Sequence, residues 1–130
     1  MKTLEWVLPD TVLALHERLI AEFGGASGIR DAGMWASALA RPVNQHGYGK
    51  PTVWELGAAY TFGLVRDHPF VDGNKRIGYA VGVVFLELNG LAVTATEADA
   101  VIQTLALAAG GLDEAGYAAW LRKNSRRRRR

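Results

Sequence analysis

The sequence predicts an all-α fold, a compact bundle of about six helices. Three observations predict it. Apolar residues recur at i, i+3, i+4 and i+7 through most of the 130 residues. Capping residues stand before these segments and glycines after them. Period-two alternation never runs far enough to supply a sheet of any length.

Taken in order, Asp10 after Pro9 is placed to cap a first helix with one stripe of Val12, Leu15, Leu19 and Phe23, ended by Gly24 and Gly25. His16 on this helix reads as an ordinary, partly exposed histidine. Ala26 to Arg30 is a loop, and Asp31 caps a short second helix with Met34, Trp35, Ala38 and Leu39 inward, stopped before Pro42. Pro42 to Pro51 carries two Pro and two Gly and reads as a loop or small flap. Its Asn44, His46 and Tyr48 either border a cleft or belong to a plain surface connection.

Thr52-Val-Trp-Glu55 is a capping box, in which the Thr hydroxyl and the Glu carboxylate each satisfy a backbone N–H of the opening turn. The third helix follows, with Val53, Leu56, Gly57, Tyr60 and Leu64 inward. The fourth, at about 73–89, is expected to be the central buried one: Ile77, Ala80, Val81, Val84, Phe85 and Leu88 form a stripe, yet Val83 and Leu86 lie on its other side. Gly78 and Gly82 leave a strip where another helix can approach closely, and Asn89-Gly90 offers a left-handed stop. Leu91 to Thr94 is a brief extended piece. Thr96-Glu-Ala-Asp99 boxes a fifth helix with Ala98, Val101, Ile102, Leu105 and Ala109 inward, closed by Gly110-Gly111. Asp113 caps a sixth, where Tyr117, Trp120 and Leu121 pack back.

Residues 1–125 are expected to be one domain, and 126–130 a basic, disordered tail. Without that run of five arginines, 10 basic face 13 acidic side chains, so the body is mildly acidic despite the pI near 9.2. Nucleic acid has no expected contact except through the tail, by counterion release. The lack of cysteine excludes thiol chemistry. A charged, Pro-containing start argues against a signal peptide, and the apolar run from Ile77 to Leu86 is well short of the roughly 20 residues a bilayer needs. A cytoplasmic protein is expected, with no membrane partner.

Chemistry concentrates in Arg66 to Arg76, Arg-Asp-His-Pro-Phe-Val-Asp-Gly-Asn-Lys-Arg, a polar loop running straight into the buried fourth helix. A helix's opening turn leaves N–H groups unpaired at the positive end of its dipole, a natural phosphate seat. His68 suits the role of base for a hydroxyl, since imidazole titrates near pH 6.5. Asp72 suits Mg²⁺, which takes one or two carboxylates plus substrate phosphates. Gly73 lets the backbone form an anion nest, and Asn74, Lys75 and Arg76 add donors and charge. Phe70 and Val71 are expected to be buried anchors. Singly, each residue has a duller reading: His68 as a C-cap, Asp72 as an N-cap, Lys75 and Arg76 as a solvated face. Two cations opposing the dipole weigh against that reading.

His68, Phe70, Asp72, Gly73, Asn74 and Arg76 match the signature His-x-Phe-x-Asp/Glu-Gly-Asn-x-Arg of the Fic/Doc family, which the chain resembles from its first helix to about Arg122. Gly28-Ile-Arg-Asp, Ala38-Leu-Ala-Arg-Pro42 and Phe85-Leu-Glu-Leu-Asn-Gly90 are similar to the short death-on-curing branch, the toxins of toxin–antitoxin pairs. The adenylyl-transferring branch has Gly where Lys75 stands and Arg where Tyr79 stands. The resemblance therefore implies an ATP-dependent kinase with Mg²⁺, moving the γ-phosphoryl group to a Thr of translation factor EF-Tu and arresting translation. AMP transfer to a protein hydroxyl is the alternative, and a non-enzymatic binding module a second. The implied roles are His68 as base, Asp72 at the metal, Gly73, Asn74, Lys75 and Arg76 at the phosphates, and the Pro42–Pro51 flap aligning the target. Self-inhibiting relatives carry Ser/Thr-x-x-x-Glu-Gly/Asn, but no Glu here precedes Gly or Asn. Restraint is thus expected from an antitoxin whose C-terminal segment crosses the cleft.

Overall fold

The computed structural model describes residues 3–128. Its element order is α1 (Pro9–Phe23), α2 (Ala32–Tyr48), α3 (Val53–Asp67), α4 (Asn74–Leu88), β1 (Leu91–Val93), α5 (Glu97–Ala109), α6 (Glu114–Lys123) and β2 (Ser125–Arg127). Six helices thus form among the described residues, the number the sequence predicts. Asp31, Thr52, Thr96 and Asp113 each accept an N–H of the turn they open, and Thr52 with Glu55 completes the capping box. At α1, however, Leu8 is the N-cap and Pro9 the first helical residue, leaving Asp10 in the first turn.

α3 and α4 form the centre, and α3 is the more enclosed, buried along nearly its whole length from Leu56 to Val65. Their crossing is close because Gly78 and Gly82 face Thr61. A Cβ on Gly82 would lie 2.5 Å from Thr61 Oγ1, and one on Gly78 3.0 Å from Val65 Cγ1. Thr61 Oγ1 donates to Gly78 O at 2.8 Å, so the small residues and the hydroxyl hold one another in register. Around this pair Val12, Phe70, Leu107, Tyr117 and Leu121 complete the core.

Three expectations need correction. α2 does not stop before Pro42; it runs through it to Tyr48, with Pro42 buried inside the helix. Proline cannot bond to the carbonyl four residues back, that of Ala38. Ala38 O instead lies where α2 meets Gly63 of α3, 3.2 Å from the place a Cβ would occupy. The stripe expected inward on α5 faces out: Val101 and Ile102 are 57% and 61% exposed. The rival stripe, Ala100, Thr104 and Leu107, is buried, fastened where Thr104 Oγ1 meets Tyr117 Oη at 2.9 Å. Finally, the arginine run does not leave the domain at once. Leu91, Ala92 and Val93 pair antiparallel with Arg127, Arg126 and Ser125, and Arg128 N donates to Gly90 O at 2.9 Å. The last two arginines lie outside the described residues.

Candidate functional site

α3 delivers the chain to His68, which takes the left-handed conformation (φ 53°, ψ 53°), the only non-glycine residue with positive φ among those described. Such a turn costs about 1–2 kcal/mol for a residue with a Cβ, so something must hold it. Arg30 does. Its Nε donates to His68 O at 2.8 Å and its Nη2 to Asp67 O at 3.1 Å, a cation set on the negative end of α3. Arg30 is itself fixed because the loop before α2 zips onto this one: Arg30 N donates to Pro69 O, and Val71 N to Gly28 O. The left-handed Gly28 (φ 105°) lets that pairing form.

Beneath His68 the loop is nailed into the core by Phe70, whose ring stacks on His16 at 3.7 Å and meets Trp35 edge-on at 5.4 Å. His16 is buried, not partly exposed as expected, and its Nε2 donates to Asp72 O at 2.8 Å. Val71, the other expected anchor, is exposed. Asp72 is exposed too, with Oδ2 accepting from Ala26 N at 2.7 Å, which ties the loop to the segment after α1.

Gly73 then turns left-handed (φ 79°) as the N-cap of α4, with no side chain capping the first turn. The N–H groups of Asn74, Lys75 and Arg76 are left to face an incoming anion. A Cβ at residue 73 would sit in ordinary contact with Ile20 Cδ1 at 3.5 Å and His16 Nε2 at 3.6 Å, so it is the positive φ, not space, that calls for glycine here. Lys75 and Arg76 are exposed, and the Arg76 guanidinium lies 4.4 Å over the Phe23 ring.

The Asn74 side chain, expected to add a donor at the phosphates, is turned into the loop instead. It is buried, its Oδ1 accepts from Phe70 N at 3.0 Å, and its Nδ2 lies 3.0 Å from Phe70 O and 3.1 Å from His68 Nδ1. The side chain is spent inside the loop, which leaves Asn74 only its backbone N–H for an anion.

Among the described residues no group of three or more His, Cys, Asp or Glu is placed to hold a metal. One carboxylate still suits Mg²⁺, which keeps waters and takes further oxygens from phosphates. Asp72 offers Oδ1, to which no described residue donates.

Asn44, His46 and Tyr48 do not join this site. They sit on the last turns of α2, beside the start of α3, whereas His68 follows its end. Fifteen residues at about 1.5 Å each separate the two by roughly 22 Å. Asn44 and Tyr48 instead line an open polar hollow of about 620 Å³ with Arg41, Lys50 and Glu55, while His46 packs on Trp6. Glu114 neutralises the Arg41 of that hollow, and no imidazole lines it.

Trp35 faces inward as expected, but the parts that Arg30 and His16 play at the loop were not foreseen. A signal existed for His16, which lies four residues after Val12 on the buried stripe of α1. Arg30 stands in the Gly28-Ile-Arg-Asp segment, but its partners are backbone carbonyls distant in sequence, so its clamping role has no local pattern.

The fold and the loop thus define a helical domain whose imidazole stands beside an uncapped helix N-terminus. Residues 6–86 match the family model described as the Fic/DOC family. The chain is 40% identical over 75 residues to "Toxin Doc" of Mycolicibacterium smegmatis (strain ATCC 700084 / mc(2)155), covering 56% of this chain and 58% of that relative. It is 32% identical over 88 residues to "Protein kinase doc" of Escherichia phage P1, covering 67% of this chain and 70% of that one. The chain belongs to the Fic/DOC family.

Proposed function

We propose that the protein is a Doc-like toxin that moves the γ-phosphoryl group of ATP to a hydroxyl of a protein, a Thr of EF-Tu being the expected target. The observation carrying this reading is the placement of His68 next to the open first turn of α4, three N–H groups behind a left-handed Gly73. In this reading the phosphates rest on the N–H groups of Asn74, Lys75 and Arg76, with the Lys75 and Arg76 side chains screening their charge. His68 takes the hydroxyl proton, the oxygen bonds to the γ-phosphorus, and the bond to the β–γ bridging oxygen breaks to release ADP. Asp72 would hold Mg²⁺, which supplies charge neutralisation when bound.

Lys75 at the phosphate turn and Tyr79 one turn further on favour phosphoryl over AMP transfer, as does the name of the phage relative. Two ATP samples, labelled at the γ- or at the α-phosphate, are incubated with the protein and a bacterial lysate. Label from γ alone supports the kinase reading; label from α overturns it in favour of AMP transfer. His68→Ala should abolish transfer while circular dichroism stays unchanged, and full retained transfer would remove His68 from the base role. An antitoxin whose C-terminal segment crosses this cleft is the proposed restraint, since the sequence carries no self-inhibiting Glu motif.

A further inference from the structure

We infer that Asn74 latches the neutral His68 ring in the tautomer whose proton is on Nε2, so that the resting site presents a hydrogen-bond donor rather than a base. This rests on the reading above only in calling His68 the base. The Asn74 amide has no freedom to flip. Its Oδ1 accepts from Phe70 N at 3.0 Å and its Nδ2 donates to Phe70 O at 3.0 Å, an arrangement that reverses only by setting donor against donor and acceptor against acceptor. One Nδ2 hydrogen is used there; the other lies toward His68 Nδ1, 3.1 Å away. A donor on this side makes Nδ1 the acceptor, and a neutral imidazole that accepts at Nδ1 carries its proton on Nε2.

The consequence follows from proton balance. Nε2, on the far side of the ring, cannot take a hydroxyl proton while it bears one, and Nδ1 has its lone pair committed to Asn74. Base action therefore begins with rupture of the Asn74–His68 contact. Either Nδ1 itself then receives the proton, or the ring exchanges its own proton from Nε2 to Nδ1 through water before Nε2 does. Asn74 is thus a positioning residue that acts through His68, and its burial keeps water from replacing it in the resting state.

The test uses the full chain, ¹⁵N-labelled, with no nucleotide or target present. Long-range ¹H–¹⁵N spectra of the ring nitrogens are recorded at a pH where imidazoles are neutral, His68 being assigned by loss of its signals in His68→Ala. Free imidazole samples both tautomers with a bias to Nε2–H, so an internal reference matters. His46, exposed and with no described hydrogen bond to its ring nitrogens, supplies it. The latch predicts His68 at the extreme of a fully bare Nδ1 and His46 at the averaged position, and Asn74→Ala should bring His68 to the His46 pattern. A protonated Nδ1, a His68 averaged like His46 in the unmodified protein, or an unchanged His68 in Asn74→Ala would each overturn the latch. If Asn74→Ala does not fold, the comparison of His68 with His46 decides alone. Because the tautomer is read without turnover, a protein that transfers nothing could still pass, and an active kinase could still fail.

Discussion

Replacing Gly82 by Ala tests the helix crossing on which the site is built. The new Cβ would lie 2.5 Å from Thr61 Oγ1 and 3.2 Å from Gly57 O, the first well inside contact distance. Thr61 cannot swing away cheaply: it is β-branched, buried, and bonded through Oγ1 to Gly78 O at 2.8 Å. Overpacking of this kind costs about 1–3 kcal/mol, whereas Gly to Ala within a helix returns about 0.8–1.0 kcal/mol. The contact is short and its partner held, so the upper part of that range applies and Gly82→Ala should destabilise the protein by about 1–2 kcal/mol. Thr61→Ala should cost about 1 kcal/mol, mainly the hydrogen bond to Gly78 O. In the double variant the 2.5 Å contact with Oγ1 is gone, and the added methyl keeps only Gly57 O at 3.2 Å and the residue-61 Cβ at 3.9 Å. Its cost should fall short of the sum of the singles by about 1 kcal/mol or more. Urea unfolding followed by circular dichroism measures all three, at constant slope if the transition stays two-state. A Gly82→Ala protein as stable as its parent, or strict additivity in the double variant, would refute the packing argument.

Arg30→Ala removes two charge-assisted hydrogen bonds from an exposed helix end, so its stability cost should be no more than about 1 kcal/mol. Transfer to the target should nevertheless drop by an order of magnitude or more, as His68 leaves its left-handed turn, and unaltered transfer would show that the clamp is dispensable. At high pH, burial pushes the Tyr117 hydroxyl from its ordinary value near 10 up to about 12, and Tyr60 and Tyr79 are raised for the same reason. The folded-state values exceed the unfolded ones, so this contribution is complete below about pH 10 and is lost as pH rises toward 12. Thermal unfolding across that window should weaken steeply in the parent and less steeply in Tyr117→Phe; identical profiles would remove Tyr117 from the explanation.

Much of the fold was legible because capping is local chemistry. Thr52 with Glu55, Asp31, Thr96 and Asp113 act through N–H groups within three residues, and each does what its spacing predicts. The His68–Arg76 loop was legible for a related reason, a dense run of polar types at one helix start. Where the neighbours decide, sequence reasoning failed. Pro42 is a stop signal locally, but buried contact with α3 overrides it, and with it went the idea that Asn44, His46 and Tyr48 form a flap over the site. α5 is apolar on two stripes, and the choice between them was made by the Thr104–Tyr117 hydrogen bond and by Trp120 Nε1 donating to Asp99 Oδ2 at 2.8 Å. Neither bond can be seen in the period of that helix. The inward turn of the Asn74 side chain was not legible because its partners are the Phe70 backbone and the His68 ring, which come together only when the loop closes.

The central claim is that a nucleotide's phosphates seat on the turn from Asp72 into α4. Titrating ¹⁵N-labelled protein with ATP and Mg²⁺ tests it most directly. The account predicts that the largest amide shifts fall on Gly73, Asn74, Lys75 and Arg76, with Ala26 moving as Asp72 adjusts. Shifts gathered instead on Arg41, Lys50 and Glu55, around the hollow at the other end of α3, would contradict it.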